Sequence, residues 1–195
     1  MRLVLDWDGT VTERDTLDLV LSTFGDRDIY ERAEAELDAG RMTLNDVIAT
    51  EFETVTAPLD EVVAHVLQHT RVRAGFAELA RARRPLIVSS GFRELIEPVL
   101  EREGVLGAVE LRANRIDARP DGWRVHFRVG ETCKVCGEPC KRGDLPEGEV
   151  VYAGDGHSDY CAALAADRVY ATGSLARYLD ERGVPFEPLT DFRSL

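Results

Sequence analysis

Arg2-Leu3-Val4-Leu5-Asp6-Trp7-Asp8-Gly9-Thr10-Val11-Thr12 decides how the rest of this chain is read. Leu3-Val4-Leu5 is a branched apolar run suited to a buried strand, and Asp8-Gly9 just beyond it signals a turn. Two carboxylates therefore stand where a strand opens into a loop, the place where α/β folds bind ligands. Residues two apart on an extended segment share a side, so Asp6 and Asp8 can address one point. Such a pair can hold a cation, attack a substrate, or do both.

Outward from this stretch the chain changes character twice. Residues 16–84 read as helices. Asp26 to Leu37 is charged with apolar residues at helical spacing and is closed by Gly40. Thr43-Leu44-Asn45-Asp46 forms an N-terminal capping pattern before Val47, Ile48 and Phe52, and Pro58-Leu59-Asp60 opens a further helix. A short helix follows from Gly75 to Arg84. From Pro85 onward strands alternate with helices. Leu86-Ile87-Val88 is a strand, Ser89-Ser90-Gly91 a turn, and a helix runs from about Glu94 to Arg102. Val109–Arg112 and Trp123–Phe127 flank the Pro120-Asp121-Gly122 turn of an expected hairpin. Glu149–Ala153 is a strand ending in Gly154-Asp155-Gly156. Then come a helix from Ser158 to Ala166, a strand from Arg168 to Ala171, a helix from Leu175 to Arg182 and a short strand near Phe186.

This order implies an α/β fold: a Rossmann-like, mostly parallel sheet with helices on both faces and a small inserted helical cap. The expected division is a core of residues 1–13 and 73–195 and a cap of residues 14–72. With 195 residues the chain can bury a substantial core. A net charge of −12 argues against nucleic acid or an anionic membrane as partner. No apolar run approaches the length that spans a bilayer, and no secretory signal pattern precedes the first strand. The expected location is the cytoplasm, where four cysteines stay reduced or bind metal.

Among 24 basic residues the only lysines are Lys134 and Lys141. Arginine bias explains the rest, but a compact ammonium is not interchangeable with a guanidinium, so both lysines become candidates. Four polar strand ends can meet at one edge of a parallel sheet: Asp6/Asp8, Ser89/Ser90, Lys141 and Asp155/Asp159. Gathering these acids is costly, about 4 kcal/mol per pair at about 4 Å and an effective dielectric near 20, so positive charge must sit among them. Mg²⁺, which takes carboxylate, water and phosphate oxygens, suits the position, with Lys141 as a further charge.

Asp6-Trp7-Asp8-Gly9-Thr10-Val11-Thr12, Val88-Ser89, Lys141 and Gly154-Asp155-Gly156-His157-Ser158-Asp159 resemble, in order, the four motifs of the haloacid dehalogenase superfamily. The helical insertion, and the stretch from Ala166 through Leu179, resemble its phosphoserine phosphatase-like branch (subfamily IB). The resemblance implies Mg²⁺-dependent hydrolysis of a small phosphomonoester. By it, Asp6 attacks phosphorus and Asp8 protonates the leaving oxygen and then deprotonates water. Mg²⁺ is held by the Asp6 carboxylate, the Asp8 backbone carbonyl and Asp155, with Asp159 direct or through water. Ser89, Ser90, Gly91 and Lys141 bind the phosphoryl group, with Lys141 also neutralising the nucleophile. The second aspartate favours phosphate over halide, since a departing halide needs no proton. Two readings stay open for Asp159, a metal-site acid or a helix-start acid favoured by the macrodipole, and Ser90 is equally readable as a turn residue. Lys134 reads as surface, His157 as a solvated loop residue, and His65 and His69 as a cap helix face.

Phosphoserine phosphatases place a glutamate soon after the first motif and an arginine in the cap for the serine ammonium and carboxylate. Here those positions align with Asp15 and Glu51, and an acid does not pair with a carboxylate. Asp15 and the run Cys136-Gly137-x-x-Cys140-Lys141 are instead similar to the 2-hydroxy-3-keto-5-methylthiopentenyl-1-phosphate phosphatases. Three thiols, Cys133, Cys136 and Cys140, have a spacing suited to a structural Zn²⁺ with His126 or Cys161 as fourth ligand; the alternative is three reduced thiols in a tight loop. Alternative functions are phosphoserine phosphatase, a phosphotransferase passing the phosphoryl group to an alcohol, or a non-catalytic metal-binding regulator. The expected partner is a small phosphorylated metabolite, and the expected assembly a monomer or homodimer.

Overall fold

Apolar alternation along the strands builds a sheet covered on both faces. The computed structural model describes residues 1–128, 130, 132–193 and 195. β1 (Arg2–Leu5) turns Leu3 and Leu5 into one apolar cluster and Val4 into the other. β2 (Leu86–Phe92) and β5 (Val150–Gly154) divide in the same way, Ile87, Val151 and Ala153 on one side and Leu86, Val88, Val150 and Tyr152 on the other. With β3 (Glu110–Asp117), β4 (Arg124–His126), β6 (Arg168–Ala171) and β7 (Glu187–Pro188), the strand order is β4-β3-β2-β1-β5-β6-β7. Every pairing is parallel except β3 with β4; the hairpin expected around Asp121-Gly122 forms from Arg115–Asp117, further along β3 than Val109–Arg112, because Glu110–Arg112 pairs in parallel with β2. The strands flanking β1 are β2 and β5, so the Asp6 loop and the chain after β5 leave the sheet side by side.

The helices before β2 are α1 (Thr16–Phe24), α2 (Arg27–Asp38), α3 (Leu44–Phe52), α4 (Leu59–His69) and α5 (Phe76–Arg83). Their starts are chemical. Asp15 and Asp26 accept from amides of α1 and α2, and Thr43 and Asp46 cap each other reciprocally at α3. Where the chain leaves and re-enters the sheet layer, an isolated antiparallel bridge joins Thr12 to Val72. The amides of Glu13 and Arg73 bond the carbonyls of Arg71 and Val11 beside it. The inserted helices are not loosely attached. Phe52 of α3 stacks on Trp123 at 6.3 Å and meets Phe92 edge-on at 4.6 Å, while Trp123 Nε1 donates to the Ala57 carbonyl. Val20, Ile48, Val62 and Val66 thereby continue the apolar cluster of the sheet.

Two expected elements differ. Ser89-Ser90-Gly91 is not a turn: β2 continues to Phe92, with irregular register after Val88, and α6 (Arg93–Arg102) starts only there. Asn114 Nδ2 donates to the Ser90 carbonyl and Gly91 N to Ser89 Oγ, which holds this bulged segment extended. The helix expected over Ser158–Ala166 is a tight turn at His157–Asp159 followed by α7 (Tyr160–Ala163) alone. The Asp159 carboxylate accepts from the amides of Asp155 and Gly156 and so caps this turn from inside. α8 (Gly173–Glu181) then covers β5 and β6 through Leu175 and Leu179. Among the described residues no helix is long and apolar enough to cross a membrane.

Candidate active site

The loop after β1 is wound into a single turn, Trp7–Val11, that breaks at Asp8 and Gly9. Gly9 has φ +69°, and any side chain there would collide with the Asp155 carboxylate, so glycine is what lets the two loops touch. Arg73 fixes the turn from behind, donating to the carbonyls of Thr10 (2.9 Å) and Gly9 (2.8 Å).

Asp6 is buried and faces Lys141, whose ammonium bonds it and also Asp159 at 2.7 Å. Lys141 sits in a short turn, Lys141–Asp144, well before β5, and is itself buried. Thr10 Oγ1 donates to the other Asp6 oxygen at 3.2 Å. Asp159 is fully engaged. Its Oδ1 receives Lys141 and the Tyr152 hydroxyl (2.6 Å), and its Oδ2 receives the amides of Asp155 (2.9 Å) and Gly156 (3.0 Å). Oxygens of Asp6, Asp155 and Asp159 lie within 4.8 Å of one another.

The electrostatics follow from that count. Three carboxylates share one ammonium, a formal surplus of two negative charges in a buried place. Burial, then Asp159, pushes Asp6 up to about 7 against the pull of Lys141. Burial, then Asp6 and Asp159, pushes Asp155 up to about 8. Burial alone would lower Lys141, but the Asp159 and Asp6 carboxylates outweigh it and hold the ammonium above its usual value. A divalent cation neutralises the surplus, and carboxylate oxygens are the donors Mg²⁺ takes. Asp8 is different: its carboxylate turns away from this group and accepts from Thr16 N at 2.8 Å and from the Thr16 hydroxyl. Burial, then the charges of Asp15 and Asp6, raises it well above the usual carboxylate value, against the hydrogen bonds from Thr16.

β2 reaches the same point from the other side. Ser89 is buried, and a Cβ on Gly91 would stand 3.0 Å from Asp8 Oδ2 and 3.1 Å from Ser89 Oγ, so Gly91 lies directly on the Asp8 carboxylate. Ser89, Ser90 and Gly91 are therefore at the site, but on a strand bulge and not at a helix start. A cavity of about 600 Å³ opens beside Ser90 and Lys141, walled by Asn114 of β3, Tyr178 of α8 and Leu44 and Asn45 of α3.

Beyond Lys141 the four cysteines gather. Cys133, Cys136, Cys140 and Cys161 place their sulfurs within 4.8 Å of one another, with Cys133 and Cys161 at 3.7 Å. The fourth member is Cys161 of α7; exposed His126 on β4 is not part of the group. Lys134 and His157 are exposed, and His65 on α4 packs against Phe24 and His69. Asp15 caps α1 beside Asp8. Sequence reading missed Thr16, Tyr152 and Arg73. Each acts by orienting another group, and nothing in its local pattern distinguishes it from an ordinary helix-start, strand or loop residue.

The family model for haloacid dehalogenase-like hydrolases matches residues 3–164. A 2-hydroxy-3-keto-5-methylthiopentenyl-1-phosphate phosphatase of Geobacillus kaustophilus is 29% identical over 97% of this chain and 91% of its own. The Pdp3-interacting factor 1 of Schizosaccharomyces pombe is 27% identical over 97% and 90%. Among solved structures, a phospho-aspartyl intermediate analogue of phosphoserine phosphatase superposes with a TM-score of 0.70 at 17% identity. It covers 98% of this chain and 95% of that one.

Proposed function

We propose, from the premise that this chain belongs to the haloacid dehalogenase-like hydrolases, that it is a phosphatase that hydrolyses small phosphomonoesters through an aspartyl-phosphate on Asp6. The observation that carries this is the meeting of Asp6, Lys141, Asp155 and Asp159, from three separate parts of the chain, beside Asp8. Asp6 attacks phosphorus as the ester P–O bond breaks, and Lys141 offsets charge on both. Asp8 gives its proton to the departing alkoxide. It then takes one from the water that cleaves the acyl phosphate, which regenerates Asp6 and frees inorganic phosphate. Ser89 and the amides of the β2 bulge receive the phosphoryl oxygens. Mg²⁺ would be held by Asp6, Asp155 and the Asp8 carbonyl, with Asp159, its oxygens occupied, acting through water; bound there, it supplies charge neutralisation at the phosphoryl group.

The helices of residues 14–72 act as the cap, and the Thr12–Val72 bridge supports that boundary. The cysteine group suits a structural Zn²⁺. Tetrahedral Zn–S bonds of about 2.3 Å put sulfurs about 3.8 Å apart, close to the 3.7 Å between Cys133 and Cys161. Bound there, the metal ties Cys140, next to Lys141, to α7. Free thiols fit a reducing compartment such as the cytoplasm, and the chain works as a monomer or homodimer on a diffusing metabolite. Buried Glu51 in the cap argues against phosphoserine, whose carboxylate it would repel.

The test is phosphate release from p-nitrophenyl phosphate with Mg²⁺, with EDTA and with Asp6→Asn. Activity in the first alone is expected, and hydrolysis retained by a folded Asp6→Asn protein would overturn the assignment.

A further inference from the structure

All four cysteines of the chain stand in one group, and that group flanks Lys141 from two separate segments. Cys140 immediately precedes Lys141. Cys161 lies two residues after Asp159, the acid whose Oδ1 holds the Lys141 ammonium at 2.7 Å. The same two segments therefore meet twice, once at the ion pair and once at the sulfurs. The far end of the lysine's turn is fixed separately. There the Asp144 carboxylate accepts from Arg128 at 2.6 Å, and the Asp144 carbonyl accepts from Arg112 at 3.0 Å. The near end meets the cysteine group.

The group has the form of a thiolate metal site. Cys133-Lys134-Val135-Cys136-Gly137 makes a tight knuckle. Gly137, at φ +79°, donates its amide to the Cys133 carbonyl at 2.9 Å, and the Val135 amide points at Cys133 Sγ at 3.4 Å. A chain of 195 residues with two apolar clusters does not need a metal to hold its core together. The place of the group beside Lys141 gives it a different task. It is also open to small oxidants: Cys136 is exposed, and Cys136, Cys140 and Cys161 line the cavity of about 600 Å³ beside Lys141.

We propose that the thiolate centre is a redox control on the phosphatase: a hydroperoxide oxidises its sulfurs, which frees both the zinc and the turn bearing Lys141. This rests on the phosphatase reading above and on its zinc, and adds a regulation to them. One thiolate of the Cys133–Cys161 pair attacks the peroxide O–O bond, forming an S–O bond and releasing water. The other sulfur displaces the hydroxyl group as a second water and leaves a disulfide. Two electrons pass from the thiolates to the peroxide, and two protons come from solvent. The bond draws the two sulfurs from 3.7 Å to about 2 Å. They then no longer hold zinc, which binds thiolates. Cys161 pulls on the segment bearing Asp159 while Cys140 is released. The acid that holds the ammonium and the turn that carries it thus move relative to each other.

The experiment uses the full chain, reduced, loaded with Zn²⁺ and assayed with Mg²⁺ on p-nitrophenyl phosphate. Hydrogen peroxide is added stepwise while zinc release, free thiols, kcat, KM and far-ultraviolet circular dichroism are followed. Zinc release, loss of a thiol pair and a fall in kcat of about tenfold or more should run together, with the dichroism unchanged. A displacement on the order of 1 Å in a site costs up to about a hundredfold. The change should be larger in kcat than in KM, since Lys141 offsets charge that develops in the transition state. Dithiothreitol with Zn²⁺ should restore kcat, and Cys161→Ser should start at the lowered value. An unchanged kcat once zinc and thiols are lost overturns this inference and leaves the phosphatase reading standing. A fall in kcat that comes only with loss of the dichroism signal does the same. A protein that takes up no zinc overturns the zinc centre and this inference. No hydrolysis by the untreated protein overturns the phosphatase reading and this inference with it.

Discussion

Glu51→Gln should stabilise the protein in alkali and not in acid. The carboxyl rises from 4.5 to about 8 on folding, by burial first and then by Glu34, Asp15 and Asp18. An acid whose pKa is raised in the folded state binds extra proton there between those two values, so stability falls as pH climbs through that window. A rise of about 3.5, at about 1.4 kcal/mol per pH unit, sets a ceiling of about 5 kcal/mol at pH 9. Roughly 1 kcal/mol of this is already lost at pH 5, where the unfolded carboxyl has begun to ionise. An unpaired amide N–H on Gln, worth about 1 to 2 kcal/mol, lowers the gain equally at both pH values, whereas water reaching the carboxyl shrinks the pH-dependent part itself. The expected difference in the effect of the substitution between pH 5 and pH 9 is thus about 2 to 4 kcal/mol. Urea unfolding of both proteins at the two pH values, in one metal condition, measures it with the contributions of Asp6 and Asp155 common to both. Equal effects at pH 5 and pH 9 would show that Glu51 is not an uncompensated buried charge.

Three further outcomes follow from the same contacts. Cys161→Ser should lower bound zinc in purified protein from near-stoichiometric to a trace, by plasma emission or a chromogenic chelator; zinc absent from the unmodified protein removes the proposed site. Gly9→Ala should displace Asp155 and weaken Mg²⁺ activation by about tenfold or more, since the added methyl takes the space of the Asp155 carboxylate; an unchanged Mg²⁺ titration contradicts the packing. Tyr152→Phe removes a buried 2.6 Å hydrogen bond to Asp159 and should cost about 1 to 3 kcal/mol in chemical denaturation.

Much of the fold was legible because its signals are local. The Thr43/Asp46 cap, the hairpin around Asp121-Gly122 and the β6 boundaries all depend on residues close in sequence. The segments misread are those whose shape is set from a distance. Ser89-Ser90-Gly91 has turn composition, but Asn114 from the neighbouring strand holds its backbone extended. The helix expected over Ser158–Ala166 is confined to Tyr160–Ala163, and the turn before it is set by Asp159 reaching back to the amides of Asp155 and Gly156. The cysteine group was legible to three members. The fourth in the structure, Cys161, comes from an element beyond β5, and spacing alone does not choose it over His126.

The sequence by itself determined which groups are available for chemistry: two aspartates after the first strand, a rare lysine, an Asp155/Asp159 pair and a knot of cysteines. Composition, order and strand-end position are one-dimensional properties, and they suffice to name a family. Only the tertiary structure decided how those groups divide their work. It turned Asp8 toward Thr16 and away from the carboxylates that share Lys141, and it occupied every oxygen of Asp159. It also buried Glu51 of α3 with no hydrogen bond to its Oε1 among the described residues. Charge compensation is a sum over neighbours in space, so an uncompensated buried acid became visible only once the helices were packed.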